Sequence, residues 1–413
     1  MIFPDLIPIK RNLEYPVLDN LEAVINTQLR KIKNISSEDK IAITVGSRGI
    51  NNLVPILRST IKYLKTKKAK PFVVAAMGSH GGATTKGQLE LLKGYGVTYE
   101  ILGVPVVGST ETVKVPNKLY SGEIWISKEA FAANSIIVLN RIKKHTDLFG
   151  PIQSGLCKMI AIGLGNQKQA EALHNEGLQV LSDSIPLIAS DVLQTGKILC
   201  GIGIVENGKG NTASLDVLEP SQIITKEKEL LMLANKLTPK LPVNSLDVLL
   251  IDEGGKNYSG SCIDTNVIGR MRLEGEQDLI DPSIHRVVVS DLSEESQGNA
   301  AGIGLADFIT KKFYDKIDFH STYTNCLSCI FPERGKIPMV IDNDKEAATV
   351  ALNTCRLSRR LNPSIIRIHD TLNLEKMWVS KNLLDEISTK EKIEVLSDPV
   401  DIFDKHGELI DFY

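Results

Sequence analysis

The sequence predicts an α/β protein of two domains with mostly parallel sheets and a site in the cleft between them. Three observations carry this expectation. The 413 residues exceed what one ordinary α/β core organises. Strand-length apolar runs alternate with helical patterns, the rhythm of βαβ units. A proline-marked segment, Thr238-Pro239-Lys240-Leu241-Pro242, follows a helical stretch and precedes a new buried strand. The domains are therefore drawn as residues 1–240, an N-terminal cofactor-binding α/β domain, and 241–413, a C-terminal α/β domain closing over the site.

The elements follow in order. Lys40 to Val45, Pro71 to Ala76, Ser135 to Leu139 and Ile198 to Ile204 are apolar runs that end in polar or glycine-rich turns, as strands do. Leu53 to Leu64 repeats apolar residues near helical spacing, and Gln167 to Leu193 reads as one long helix or as two broken near Pro186. Lys226 to Lys236 is helical. Beyond the boundary, strands are expected at Leu246 to Ile251, His285 to Val289 and Pro338 to Ile341, and a helix at Asp344 to Thr354.

Composition excludes several classes. Hydrophobic residues at 42% and charged residues at 24% describe a chain that buries a core, far from the disordered regime. A net charge of −2, from 48 basic and 50 acidic residues, offers no field for nucleic acid or an anionic membrane. The start, Met1-Ile2-Phe3-Pro4-Asp5, lacks the basic and apolar character of an export signal, and the longest apolar runs fall far short of the ~20 residues of a membrane span. Six scattered cysteines fit a reducing, cytoplasmic setting. The pair Cys326-Leu-Ser-Cys329 has no second pair to complete a zinc site and reads as incidental.

Ligands of open α/β sheets gather outside the carboxyl ends of the strands, so the loops there carry the candidate residues. Val45-Gly-Ser47-Arg48-Gly-Ile50 follows a strand and precedes a helix, and Arg48 suits a carboxylate or phosphate. Met77-Gly-Ser-His80-Gly-Gly follows another, and Thr85 with Gln88 has capping-box spacing for a helix start; Gly82 and Gly87 are not followed by the Lys-Ser or Lys-Thr of a phosphate-binding P-loop. In Asn140-Arg-Ile-Lys143-Lys144-His145 a strand delivers a basic stretch with one histidine. A glycine-bounded segment then sets Lys158 among Leu156, Cys157, Met159 and Ile160, where burial favours a neutral, nucleophilic amine. His174 follows on a helix, and imidazole is a common metal ligand. In the second half, Asp264, Asn266, Arg270 and Arg272 crowd a glycine-rich loop after a strand. Gly302-x-Gly304 lacks a complete dinucleotide fingerprint. His285, His320, His369 and His406 have no comparable context.

The spacing of His80, His145, Lys158 and His174 resembles the nickel-dependent lactate racemase family, through most of residues 40 to 310 and most strongly in 145 to 174. That resemblance implies a nickel-pincer nucleotide attached covalently at Lys158, nickel bound by His174, and an acid/base pair in His80 and His145. It also implies cofactor contacts from Ser47, Arg48 and Lys144, substrate contacts from Arg48, Arg270 and Arg272, and cofactor-synthesis proteins as partners. The chain departs from the lactate enzymes in three places. Val45 stands where an acidic residue precedes the arginine, His80 is followed by Gly81 and Gly82 instead of arginine, and Ile268-Gly269 replaces an aromatic residue and glutamine. A divergent homologue follows, with an unspecified 2-hydroxy acid as substrate.

The chemistry is consistent with this. Removing the α-proton of a 2-hydroxy acid is opposed by the adjacent carboxylate, whereas reversible hydride transfer through a planar keto acid needs a hydride acceptor and a base for the hydroxyl. Two histidines near neutrality serve the two stereoisomers. The expected function is a racemase or epimerase. A non-catalytic nickel-cofactor-binding protein and a nicotinamide-dependent 2-hydroxy acid oxidoreductase stay open as alternatives.

Overall fold

The computed structural model describes residues 3–174, 176–273, 277–279, 281–328 and 331–412, the side chains of His174 and Ser328 excepted. The chain is α/β and divides into two compact units, Tyr15–Thr238 and a second built from Met1–Glu14 with Pro239–Tyr413. The break at Thr238 lies at the proline-marked segment. The first fourteen residues belong with the C-terminal unit, where the sequence had placed them with the first domain.

In the unit Tyr15–Thr238 a six-stranded sheet runs in the order Val106–Val107, Lys70–Ala75, Lys40–Val45, Ser135–Arg141, Ile198–Glu206, Thr212–Leu218, parallel throughout except for the last pair. Its central strands are apolar at successive positions because both faces are covered. Ala42, Val74, Ile136 and Val138 face one core with the helices Leu178–Gln194 and Ile223–Leu237. Ile41, Ile43, Val73, Ile137 and Leu139 face another with the helix Leu53–Thr66. That helix buries Leu53, Ile56, Leu57 and Leu64 along one stripe, each contributing about 1.5–3 kcal/mol.

The order of strands sets the position of the site. From Lys40–Val45 the chain builds outward to one side, through Lys70–Ala75 and Val106–Val107, then returns to lay Ser135–Arg141 on the other side. The carboxyl ends of Lys40–Val45 and Ser135–Arg141 therefore flank the switch point, where an open α/β sheet parts its loops into a crevice.

The helical stretch after Gly165 differs from the expectation. It forms two helices, Asn166–His174 and Leu178–Gln194, and the break falls before Gly177, whose φ of 87° suits a residue without Cβ. Pro186 lies inside the second helix, its carbonyl accepting from Ser190 Oγ at 2.8 Å.

The second unit holds an eight-stranded sheet in the order Met339–Ile341, Phe308–Thr310, Ser283–Leu292, Ser245–Gly254, Ile365–Ile368, Lys376–Val379, Ile7–Arg11, Ile393–Val395. The first five are parallel and the last three antiparallel. Leu249 and Ile251 face one core, Val248 and Leu250 the other. Among the described residues no helix is long and apolar enough to cross a membrane.

Candidate functional site

The loop after Ser135–Arg141 is folded onto itself by its own polar groups. Lys143 N donates to Ser154 O at 2.9 Å and Ser154 N to Lys143 O at 3.3 Å, closing residues 143–154 at the base. Inside, His145 N donates to Gln153 Oε1 at 2.9 Å, and Gln153 Nε2 donates to Gly150 O at 3.1 Å. Asp147 N and Leu148 N both donate to His145 Nδ1, at 3.0 and 3.2 Å. The imidazole is thus held from its Nδ1 side, and its Nε2 lies 2.7 Å from Lys158 Nζ.

Lys158 closes a short helix, Leu156–Lys158, that passes into a wider π-type turn over Met159–Gly163. Leu164 N donates to Met159 O at 2.9 Å, five residues back, and turns of this kind recur at functional sites. The start of this segment is anchored from below by a carboxylate. Glu227, fully buried on the helix Ile223–Leu237, accepts from Cys157 N at 2.7 Å through Oε2. Gly155 is required here by close approach, because a Cβ would run into Glu227 Oε1. Burial raises the Glu227 carboxyl to about 7, against the backbone N–H groups of Cys157 and Leu156, which lower it. Burial and the nearby Glu227 also push the Cys157 thiol well up, leaving it an inert core group.

His80 sits in the loop after Lys70–Ala75, exposed. Its Nδ1 is 3.0 Å from Met77 O; a carbonyl only accepts, so Nδ1 carries a proton, and in the neutral ring Nε2 holds the lone pair. Gly78, at a φ of 59°, donates its N–H to Gly163 O at 3.2 Å, which ties the His80 loop to the turn that follows Lys158. The helix beyond, Thr85–Gly94, is capped by Thr84, whose Oγ1 accepts from Gly87 N at 3.1 Å, one residue before the expected cap. Gln88 does not complete a capping box: it is buried, and its Oε1 accepts from Ser109 N at 2.8 Å.

The Ser47–Arg48 loop is held from two sides. Tyr95 donates its hydroxyl to Ser47 O at 2.7 Å. Asn51 N donates to Glu206 Oε1 at 2.7 Å, and Glu206 also pairs with Arg141 at the end of the neighbouring site strand. Arg48 itself is exposed, while Lys143 and Lys144 are half-buried.

The structure therefore brings His145 and Lys158 into direct contact and joins the His80 loop to the Lys158 turn within one unit. The His174 backbone ends the helix Asn166–His174, and its side chain lies outside the described residues, as does Cys329 of the CxxC pair. Among the described residues no group of three or more metal-binding side chains is assembled.

Arg270 and Arg272 belong to the second unit. Arg270 is 4% exposed; it pairs with Asp307 at 2.8 Å and donates to the carbonyls of Leu305, Ile284 and His285. These partners fix its guanidinium to the interior of the second unit. Arg272 also pairs with Asp307, at 2.7 Å, and donates to Ala306 O, with 38% of its side chain exposed. Asp264 caps the short helix Thr265–Ile268, accepting from Asn266 N at 2.8 Å.

Three residues escaped the sequence reading. Glu227 had a detectable signal, a carboxylate at an apolar position of the stripe Ile223, Leu230, Leu231, Ala234. Gln153 had none, since its role depends on loop closure. His369, which had no evident context, is bonded through Nδ1 to the buried Asp370 at 2.9 Å beyond the carboxyl end of Ile365–Ile368, a switch strand of the second sheet.

No protein-family model and no curated protein matches this chain. Among solved structures, the chain is similar to the lactate racemase apoprotein from Thermoanaerobacterium thermosaccharolyticum, with 14% sequence identity, a TM-score of 0.49 and 90% of each chain covered.

Proposed function

We propose that this protein is a racemase or epimerase of a 2-hydroxy acid that works with a nickel-pincer nucleotide anchored at Lys158. The observation that carries the reading is the contact between Lys158 Nζ and His145 Nε2 at 2.7 Å, beside the switch point of the first sheet. It unites two members of the histidine and lysine pattern on which the family resemblance rests. The donor set suits the group. Lys158 offers an amine for covalent attachment, and Lys143 and Lys144 precede His145 where a nucleotide phosphate needs cations. His174 is the proposed nickel ligand. When bound, the cofactor supplies a reversible acceptor for hydride.

The protein's own share is proton handling and binding. His80 holds its proton on Nδ1 against Met77 O, so its Nε2 is the lone pair that takes a hydroxyl proton. His145 is held in the opposite tautomer, with Nδ1 accepting two backbone N–H groups, so its Nε2 presents a proton. One histidine poised as base and one as acid is what the interconversion of two stereoisomers demands, each exchanging roles in the reverse direction. Arg48, with Ser47 beside it, is assigned the substrate carboxylate and cofactor contacts.

Co-expression with the cofactor-synthesis proteins, followed by intact mass measurement, tests this. A nickel-containing adduct on the native chain that is absent from Lys158→Ala is expected, and 2-hydroxy acids would then be screened for loss of optical activity. An unmodified mass, in cells where a lactate racemase control is loaded, overturns the proposal.

A further inference from the structure

We infer that His145 holds Lys158 as an unprotonated amine in the cofactor-free chain, so that this histidine first prepares the lysine for acylation and only afterwards becomes free to exchange protons with a substrate. The neutral amine follows from the hydrogen bonds alone. The identity of the electrophile, an acyl or thioacyl carbon on a pyridine nucleotide, rests on the function proposed above.

The argument runs through the tautomer of one ring. His145 Nδ1 receives Asp147 N at 3.0 Å and Leu148 N at 3.2 Å, and a proton on Nδ1 would point into both of those N–H groups. The Asp147 carboxylate, 3.9 Å from Nδ1, is too distant to hydrogen-bond a proton placed there. Nδ1 is therefore the bare nitrogen, and in a neutral imidazole the proton must sit on Nε2. Nε2 then donates, and its partner at 2.7 Å is Lys158 Nζ. An ammonium has three donors and no acceptor, so Nζ accepts only as a free amine with its lone pair toward the ring.

The surroundings act in the same direction. The chain neighbours Leu156, Cys157, Met159 and Ile160 are buried and Lys158 itself is half-buried, and burial disfavours an ammonium. Glu227 spends its carboxylate on Cys157 N, fixing the backbone one residue before the lysine.

In the acylation, the Nζ lone pair forms a bond to the carbonyl or thiocarbonyl carbon. The bond from that carbon to its acid oxygen or sulfur breaks, hydroxide or hydrosulfide departs with the electron pair, and one Nζ proton passes to solvent base. The resulting amide-type nitrogen is no longer a useful acceptor, because its lone pair is delocalised. His145 Nε2 then loses its partner and becomes available to a substrate. One histidine thus serves two steps in succession.

Competitive trace labelling of the complete cofactor-free chain with acetic anhydride at neutral pH, read by peptide mass mapping, tests the inference. An ordinary lysine is neutral to only about 0.04% there. Lys158 is expected to label at least about tenfold faster than the exposed Lys62 and Lys86, the difference in neutral fraction outweighing its partial burial. In His145→Ala this advantage should disappear. His145→Asn guards against a collapsed loop, because its side-chain oxygen can accept the same two backbone N–H groups as an Asx turn while the imidazole N–H that faces Nζ is removed. It should also lose the advantage, with Lys62 and Lys86 unchanged. Labelling of Lys158 no faster than the exposed lysines, or equally fast in native chain and His145→Asn, overturns the inference. The adduct measurement is separate. Fast labelling without a nickel adduct upholds the neutral amine and discards the cofactor, while an adduct on a lysine that labels slowly does the reverse.

Discussion

A carboxylate buried on the apolar face of a helix is costly, and Glu227 offsets only part of that cost by accepting through Oε2 from the backbone at the start of the Lys158 segment. Its position makes a pH signature. The folded carboxyl, at about 7, lies above its ordinary value of 4.5, so the folded state binds the proton more tightly than the unfolded chain. The stability this group contributes is full below about pH 4.5 and is lost as pH rises through about 7, a change of about 3 kcal/mol. Glu227→Gln removes that titration. Urea unfolding midpoints measured from about pH 4 to about pH 8 should fall in the native chain relative to the variant across this window, and parallel pH profiles would show that Glu227 does not titrate there. The residue also shows where reading the sequence stops. Lys158 stands out as a cation in an apolar run, and His145 as a lone imidazole in a basic loop. Their contact depends on the loop closing through Gln153 and Ser154, which no local pattern announces. Arg270 makes the complementary point: an arginine in a polar, glycine-rich loop has the composition of a binding residue, and only the fold reveals its pairing with Asp307.

At the scale of elements, the strands that border the first switch point were legible because burial on both faces makes them continuous apolar runs. Lys40–Val45 has the expected limits, and Ser135–Arg141 extends two residues beyond them. Short strands such as Thr112–Val115 and Ile124–Ser127, a separate antiparallel pair, carry too few residues to show a period. The Lys158 segment depends on the crossing of two elements at Gly155, where the backbone meets the helix Ile223–Leu237 through Glu227. Gly155→Ala is expected to destabilise by about 2 kcal/mol, because the added methyl must displace a buried carboxylate in a packed core. Shortening Glu227 to alanine makes room, so the same glycine substitution should cost markedly less in a Glu227→Ala background. A double-mutant cycle from denaturant unfolding measures this coupling; additive effects would remove the close contact from the account.

At the scale of the whole molecule, the chain begins in one unit, builds the other, and returns. The sequence gives little warning of this, because Ile7–Arg11 carries a proline and two cations among its five residues and so lacks the apolar run of a central strand. Pairing supplies what local pattern lacks. The strand lies between Lys376–Val379 and Ile393–Val395, antiparallel to both. Arg11, 4% exposed, locks it by a two-armed pair with Glu391 and by donating to Lys240 O at 2.7 Å and Leu374 O at 3.0 Å. Every one of these partners lies beyond the boundary at Thr238. Removing one partner of a buried pair leaves the other charge uncompensated, at about 3 kcal/mol or more. Arg11→Ala should therefore weaken the second unit and spare the first. Hydrogen exchange on the complete chain would find faster exchange in Lys376–Val379 and Ile393–Val395, with Lys40–Val45 and Ser135–Arg141 protected as in the native protein. Faster exchange throughout both units would mean that they unfold as one cooperative body, and the return of the N-terminal strand would then stabilise the Lys158 site as well.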